Sequence, residues 1–145
     1  MTTELPRGIR NNNPGNIDRD GTEWLGMSQD QTDPRFVVFN SPEYGIRAIA
    51  KTLITYQSYN FRTIEAMINR WAPPAENNTA AYINLVTERM GIPSNVPFDI
   101  LDYAKARPMV EAIIAQENAN YVYPAYTVQL GLRLAGIMAP DVGVS

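Results

Sequence analysis

From Ser41 onward the apolar positions recur at helical spacing, and before it they do not. Ile46, Ile49, Ala50, Leu53 and Ile54 trace one face of a helix that runs to about Tyr59, with Ser41 as N-cap and Pro42 at its first position. Thr63 caps a second helix with Ile64, Met67, Ile68 and Trp71 on one side, and Pro73-Pro74 stops it. Asn78 or Thr79 caps a third, carrying Tyr82, Ile83, Val86 and Met90 and closed by Gly91. A short helical turn is expected near Ile100 to Ala104, then a helix through Met109, Ala112, Ile113 and Glu117. Pro124 opens a last helix with Val128, Leu132, Leu134 and Ala135, and a frayed tail follows from Met138.

Residues 1 to 34 read as loop. Asn11-Asn12-Asn13-Pro14-Gly15-Asn16 and Asp20-Gly21 are turn signals, with short extended pieces expected around Ile17 and from Glu23 to Met27. Arg35 to Phe39 is β-branched and aromatic between two proline-bearing turns, which predicts a strand. The pattern therefore predicts one α+β domain over 1–145, mainly helical. A small antiparallel β lobe is expected over about 11–40 and a helical part over about 42–137.

The apolar pattern singles out Glu117. Val110, Ile113, Ile114 and Glu117 share a helical stripe, so a carboxylate lies at the edge of a face that should meet the core. Desolvation at such a place favours a protonated carboxyl near neutral pH. A partly exposed Glu at a fraying helix end would leave the same pattern. Glu111, six residues earlier, should point away and be solvated.

Composition narrows the chemistry. With no His and no Cys, triads, Cys–His pairs, disulfides and the usual zinc sites are excluded. The lysines, Lys51 and Lys105, sit in no buried pocket sequence. Acid–base work then falls mainly to carboxylates, and glycoside hydrolysis is the largest class of carboxylate chemistry. A net charge of -3 and the absence of a basic cluster argue against nucleic acid as partner. No stretch is apolar enough to cross a bilayer, and Met1 to Arg7 lacks the apolar core of a secretory signal.

Two polar constellations are candidates for ligand contact. In Arg7 to Ile17, Asn13 and Asn16 either hold the loop or face sugar hydroxyl and N-acetyl groups. In Arg70 to Ile83, Trp71, Glu76, Asn77 and Tyr82 either stop and cap helices or form one rim of a carbohydrate groove. Tyr121 and Tyr123 are candidates for the other rim. Asp33 and Asp20, among the lobe carboxylates, are candidates for a second catalytic group facing Glu117.

Asn12-Asn13-Pro14-Gly15-Asn16-Ile17, Trp24-Leu25-Gly26, Phe36-Val37-Val38-Phe39 and Gly45-Ile46-Arg47-Ala48 together resemble the β lobe and following helix of lysozyme-like cell-wall hydrolases. Bacterial autolysin glucosaminidases carry a related Asn-rich turn, Trp-x-Gly and Phe-rich strand. With Arg70 to Pro74 and Glu76 to Thr79 added, the pattern resembles a family of phage virion proteins that includes relatives of the lytic structural protein of enveloped double-stranded RNA phages. It spans roughly residues 7 to 137. In typical lysozyme-like enzymes the catalytic Glu closes a helix before the β lobe. Here Glu4 is followed at once by Leu5-Pro6, whereas Ala112 to Asn118 resembles the Glu-ending helix of lytic transglycosylases. The resemblance implies a circularly permuted lysozyme-like fold, which is feasible where termini lie close together.

What it implies for function is a peptidoglycan-degrading enzyme of muramidase or lytic transglycosylase type, used in phage entry or host lysis. Glu117 would be its general acid, and it would need no cofactor or metal. The expected state is a monomer whose partner is peptidoglycan, with virion components as further candidates, and which binds neither nucleic acid nor membrane. It would be found in the virion or in host cytoplasm after synthesis and act on the wall. A peptidoglycan endopeptidase and a non-catalytic virion or wall-binding protein are the alternatives.

Overall fold

The computed structural model describes residues 4–140; the first three residues and the expected tail beyond Pro140 lie outside the described part. Six helices are described: α1 (Arg7–Arg10), α2 (Pro42–Ser58), α3 (Ile64–Trp71), α4 (Thr79–Met90), α5 (Tyr103–Glu117) and α6 (Ala125–Leu134). Helices α2 to α6 follow from the apolar periodicity. Ile46, Ile49, Ala50 and Leu53 of α2 are fully buried, as are Ile64, Met67 and Ile68 of α3. Their ends are set by local chemistry. Thr63 Oγ1 accepts from the Ala66 amide at 3.1 Å, and Asn78 Oδ1 from the Ala81 amide at 3.2 Å. Gly91 closes α4 in the left-handed region. Ser41 precedes α2 in extended conformation, but its side chain makes no cap bond; Pro42 alone marks that start.

Three details of the helical part differ from expectation. The turn expected near Ile100 to Ala104 is divided. Ile100 and Leu101 form a turn closed by the Asp102 amide on the Asp99 carbonyl at 3.0 Å. Tyr103 and Ala104 already belong to α5, which runs unbroken through Pro108. Asp102 caps this longer helix by accepting from the Ala104 amide at 3.0 Å. The proline falls in its second turn, where it forgoes one backbone bond while Met109 and Val110 beside it bury completely. Arg7 to Arg10, expected as loop, forms the single turn α1 after Pro6. Along α6, Val128 and Leu132 are buried but Leu134 faces outward.

α5 lies at the centre. It packs against α4, α6 and α2, while α2 also packs along α6 and α3 against α4. The main core fills the space between them. A second, smaller cluster of Val37, Phe39 and Ala48 sits beneath residues 11–40, with Trp24 and Tyr44 against it. Alternation holds there, since Val37 and Phe39 are buried while Phe36 and Val38 are partly exposed. Each fully buried side chain of this size contributes about 1.5–3 kcal/mol.

The expected antiparallel β lobe is not a sheet. Among the described residues, pairing is limited to two isolated bridges, Asp18 with Phe36 and Met27 with Phe39. Side chains occupy the places that ladder partners would take. Asn13 donates to the Val37 carbonyl at 2.8 Å and the Ile17 carbonyl at 3.0 Å, and accepts from the Ile17 amide. Gln31 takes both backbone groups of Val38 at 2.9 Å. Asn12 donates to the Phe39 carbonyl at 3.1 Å. These carboxamides supplement a few backbone bonds, such as the Val37 amide to the Ile17 carbonyl at 3.0 Å and the Ser28 amide to the Val38 carbonyl at 2.9 Å, so the backbone is satisfied without a continuous ladder.

Asp33 is the polar anchor of this lobe. Its carboxylate accepts from Arg7 Nε at 2.7 Å and Nη2 at 2.6 Å, from Asn11 at 2.9 Å, and from the Arg35 and Phe36 amides at 2.8 Å. The Arg7 guanidinium, with the other donors, holds its carboxyl well below the usual carboxylate range. A depressed folded value contributes stability that is present above the unfolded value of about 4 and lost as pH falls below it. Asp33→Asn is therefore expected to unfold more easily at neutral pH, with a flatter decline between about pH 4 and pH 2. Urea unfolding of both proteins across that range checks it; equal slopes would contradict this role for Asp33.

Candidate functional site

Helix α5 ends on Glu117 because its next residue is committed elsewhere. Asn118, 1% exposed, donates to the Ile114 carbonyl at 2.9 Å and, across the chain, to the Pro14 carbonyl at 2.7 Å. The backbone then passes through Ala119 and Asn120, both at positive φ. On the other side, Asn16 takes φ 48°, a conformation its short amide tolerates. Its Nδ2 then donates to Glu117 Oε1 at 3.2 Å and reaches the Glu117 carbonyl at 3.4 Å. Gly8 makes this junction possible. A Cβ there would stand 2.5 Å from Asn118 Oδ1 and 2.8 Å from Asn16 Oδ1 and the Asn13 carbonyl.

Glu117 is partly exposed and opens into a cleft of about 700 Å³. One wall comes from residues 17–36, with Asp18, Asp20, Trp24, Arg35 and Phe36. The opposite wall comes from α2 and the α3–α4 connection, with Thr52, Tyr56, Trp71, Pro73, Glu76 and Asn77. Aromatic rings thus stand on both walls. Phe36 is held in place by Arg7 and Arg35, whose guanidinium carbons lie 4.5 Å and 4.7 Å from its ring centre. Arg35 in turn pairs with Asp18 at 2.5 Å on the exposed rim.

The second oxygen of Glu117 faces inward. Tyr82 Oη donates to Oε2 at 3.0 Å, and Trp71 Nε1 donates to Tyr82 Oη at 3.0 Å. Burial, followed by the neighbouring Glu117 charge, raises the Tyr82 phenol above its ordinary value, so it keeps its proton.

The structure gathers Glu117, Asn16, Asp20, Trp71, Glu76 and Asn77 at one cleft. It places the other sequence candidates elsewhere. Tyr82 is 2% exposed, so it is not a rim residue but stands behind Glu117. Asn13 is fully buried and spent on backbone bonds. Asp33 is outside the cleft, with its oxygens saturated by Arg7, Asn11 and two amides, so it is not available as a second carboxylate there. Tyr121 and Tyr123 pair edge-to-face at 5.0 Å beside a separate small cavity with Arg89 and Glu111. Glu111 points away from the cleft as expected, but it is half-buried and paired with Arg107 at 3.1 Å. Of the carboxylates facing Glu117, Asp20 was anticipated and Asp18 was not. The Thr22 side chain, and then the Thr22 amide, which donates to Asp20 Oδ1 at 3.0 Å, lower the Asp20 carboxyl below its ordinary value.

Trp24, Arg35, Phe36, Thr52 and Tyr56 were not expected as cleft residues. Only Trp24 and Phe36 carried a signal, as exposed-side aromatics in the turn and strand motifs of the lobe. Asn118 was legible only as the neighbour of Glu117.

The chain belongs to a bacteriophage protein family. The relative that shows it is Protein P5 of Pseudoalteromonas phage PM2, 39% identical over 134 residues that make up 90% of this chain and 82% of that protein. No family model matches the chain.

Asn118→Ala would leave two buried carbonyls without a donor and free the end of α5 from the Asn-rich turn. The expected cost is about 2–3 kcal/mol, read as a lower urea midpoint at unchanged slope. A midpoint equal to wild type would show that the tether is not needed.

Proposed function

We propose that this protein cleaves the glycan strand of peptidoglycan, with Glu117 as the acid. The observation that carries the reading is the position of Glu117. It closes a buried apolar helix and opens into a cleft whose two walls carry aromatic rings and carboxamides. Such rings stack on sugar faces, and the amide of Asn77 is suited to hydroxyl and N-acetyl groups, while that of Asn16 holds Glu117.

In this reading Glu117 gives its proton to the oxygen linking two amino sugars. The bond from that oxygen to the anomeric carbon breaks, and the leaving sugar departs as an alcohol with the bonding pair. The electron-poor carbon is then met by water, or first by the oxygen of the substrate's own N-acetyl group and then by the C6 hydroxyl of the same sugar, which displaces the N-acetyl oxygen and closes an anhydro ring. The water or that hydroxyl gives up the proton. Glu117, now a carboxylate, takes back a proton as the second step completes. Asp18, Asp20 and Glu76 line the same space. Asp18 is paired with Arg35, which leaves Asp20 and Glu76 as the carboxylates available to steady the positive charge or to activate water.

The close approach of the α5 end to the Asn-rich turn is what a permuted lysozyme-like arrangement requires. The helix carrying the acid abuts the lobe in space although it follows it in the chain. Membership in a phage protein family supports use in crossing or opening the wall, and association with the virion.

Digestion of purified peptidoglycan by wild type and by Glu117→Gln, with products identified by mass, tests the reading. Wild type is expected to release either anhydromuramyl or reducing sugar ends. Glu117→Gln is expected to be slower by about 10²–10⁴-fold while remaining folded. Free peptide ends would replace the reading with an endopeptidase, and a folded wild type that releases nothing from several wall types would leave a structural or wall-binding role.

A further inference from the structure

We propose that Tyr82, oriented by Trp71, is the positioning residue for the Glu117 acid: the two side chains form a one-way donor chain that ties Oε2 inward and leaves Oε1 as the reacting oxygen. The proposal rests on the reading of Glu117 as proton donor and says how that carboxyl is held.

The direction of the chain follows from donor inventory. An indole nitrogen only donates. Trp71 Nε1 lies 3.0 Å from Tyr82 Oη, so the phenol oxygen accepts there and its single hydrogen is free for Glu117 Oε2, also at 3.0 Å. Tyr82 is 2% exposed and does not line the cleft, so no water competes for that hydrogen. The other oxygen, Oε1, is held by Asn16, which does line the cleft. A carboxyl anchored at both oxygens keeps one rotamer. With Oε2 bonded to a buried phenol, Oε1, beside the cleft-lining Asn16, is the oxygen left to meet a glycosidic oxygen.

The same bond acts selectively during the reaction. While Glu117 is protonated on Oε1, Oε2 is an ordinary carbonyl acceptor. As the proton leaves, Oε2 takes on negative charge, and the bond from Tyr82 becomes charge-assisted and stronger. Interactions that strengthen toward the transition state raise kcat and leave substrate binding largely unchanged. Trp71 differs from Tyr82 in that its ring also forms part of the cleft wall. Its loss therefore affects binding as well as the donor chain.

The test is kcat and KM on solubilised glycan strands for wild type, Glu117→Gln, Tyr82→Phe, Trp71→Phe and the double variant. Tyr82→Phe removes one oxygen and keeps the ring. Its kcat is expected to fall about 10- to 100-fold with KM within about twofold of wild type. Trp71→Phe is expected to lower kcat about fivefold, the worth of one hydrogen bond, and to raise KM. The double variant is expected to have the kcat of Tyr82→Phe, because both changes break one chain. A folded Tyr82→Phe with wild-type kcat overturns the proposal while the acid role of Glu117 stands. Should Tyr82→Phe not fold, an unchanged kcat in Trp71→Phe overturns it equally. An active Glu117→Gln overturns the parent reading, and the proposal with it.

Discussion

The contact on which the site depends joins residues about one hundred positions apart: the Asn118 amide on the Pro14 carbonyl at 2.7 Å. It is fully buried, so its loss strands polar groups that water cannot reach. Everything near the cleft hangs from it. It stops α5 at Glu117, aligns the Asn-rich turn so that Asn16 reaches the carboxylate, and brings α1 close enough that only a glycine fits at position 8. The cleft is then the gap left between the helical core and residues 17–36, which meet at this junction and diverge from it.

The lobe side of that gap is built from polar side chains in place of a sheet. Carboxamides of Asn12, Asn13 and Gln31 satisfy the backbone, and one carboxylate, Asp33, collects five donors. A lobe so constructed needs little apolar area. Val37, Phe39 and Ala48 suffice to seat it on α2. The consequence is a wall that can turn Phe36 to the cleft, while Trp24 both packs edge-to-face on Phe39 and lines the cleft.

Where apolar periodicity specified an element, it was legible in the sequence. Helices α2 to α4 and α6 begin and end close to their predicted caps because Pro42, Thr63, Asn78, Gly91 and Pro124 act locally. The β lobe was misread because a β-branched, aromatic run such as 35–39 signals extended backbone but not what pairs with it, and here asparagine and glutamine side chains share that role with isolated backbone contacts from residues 11, 17, 19 and 28. The turn near Ile100 to Ala104 and the helix through Met109 were read as separate elements, yet the Asp102 cap and the burial of Ala106, Met109 and Val110 carry α5 from Tyr103 through Pro108. At the site, Glu117 stood out because a carboxylate on an apolar stripe is conspicuous. Asp33 did not declare its role, since its bonds run to Arg7, some 26 positions away, and no local pattern records that.

Tyr82 shows how burial changes the meaning of a residue. As an exposed tyrosine between helices it would be a rim contact. At 2% exposure its hydroxyl must be satisfied within the protein, and it is satisfied on both sides, by Trp71 and by Glu117. A phenylalanine would fill nearly the same volume without carrying a polar group into the interior, so stability alone gives little reason for the oxygen. The desolvation of that hydroxyl is a cost to folding, offset only by the two bonds it makes. One of those bonds ends on a carboxylate that opens to the cleft. A buried polar chain that terminates at a cleft-facing acid on the last residue of an apolar helix is a local departure from good packing, and such departures concentrate where chemistry requires a fixed orientation.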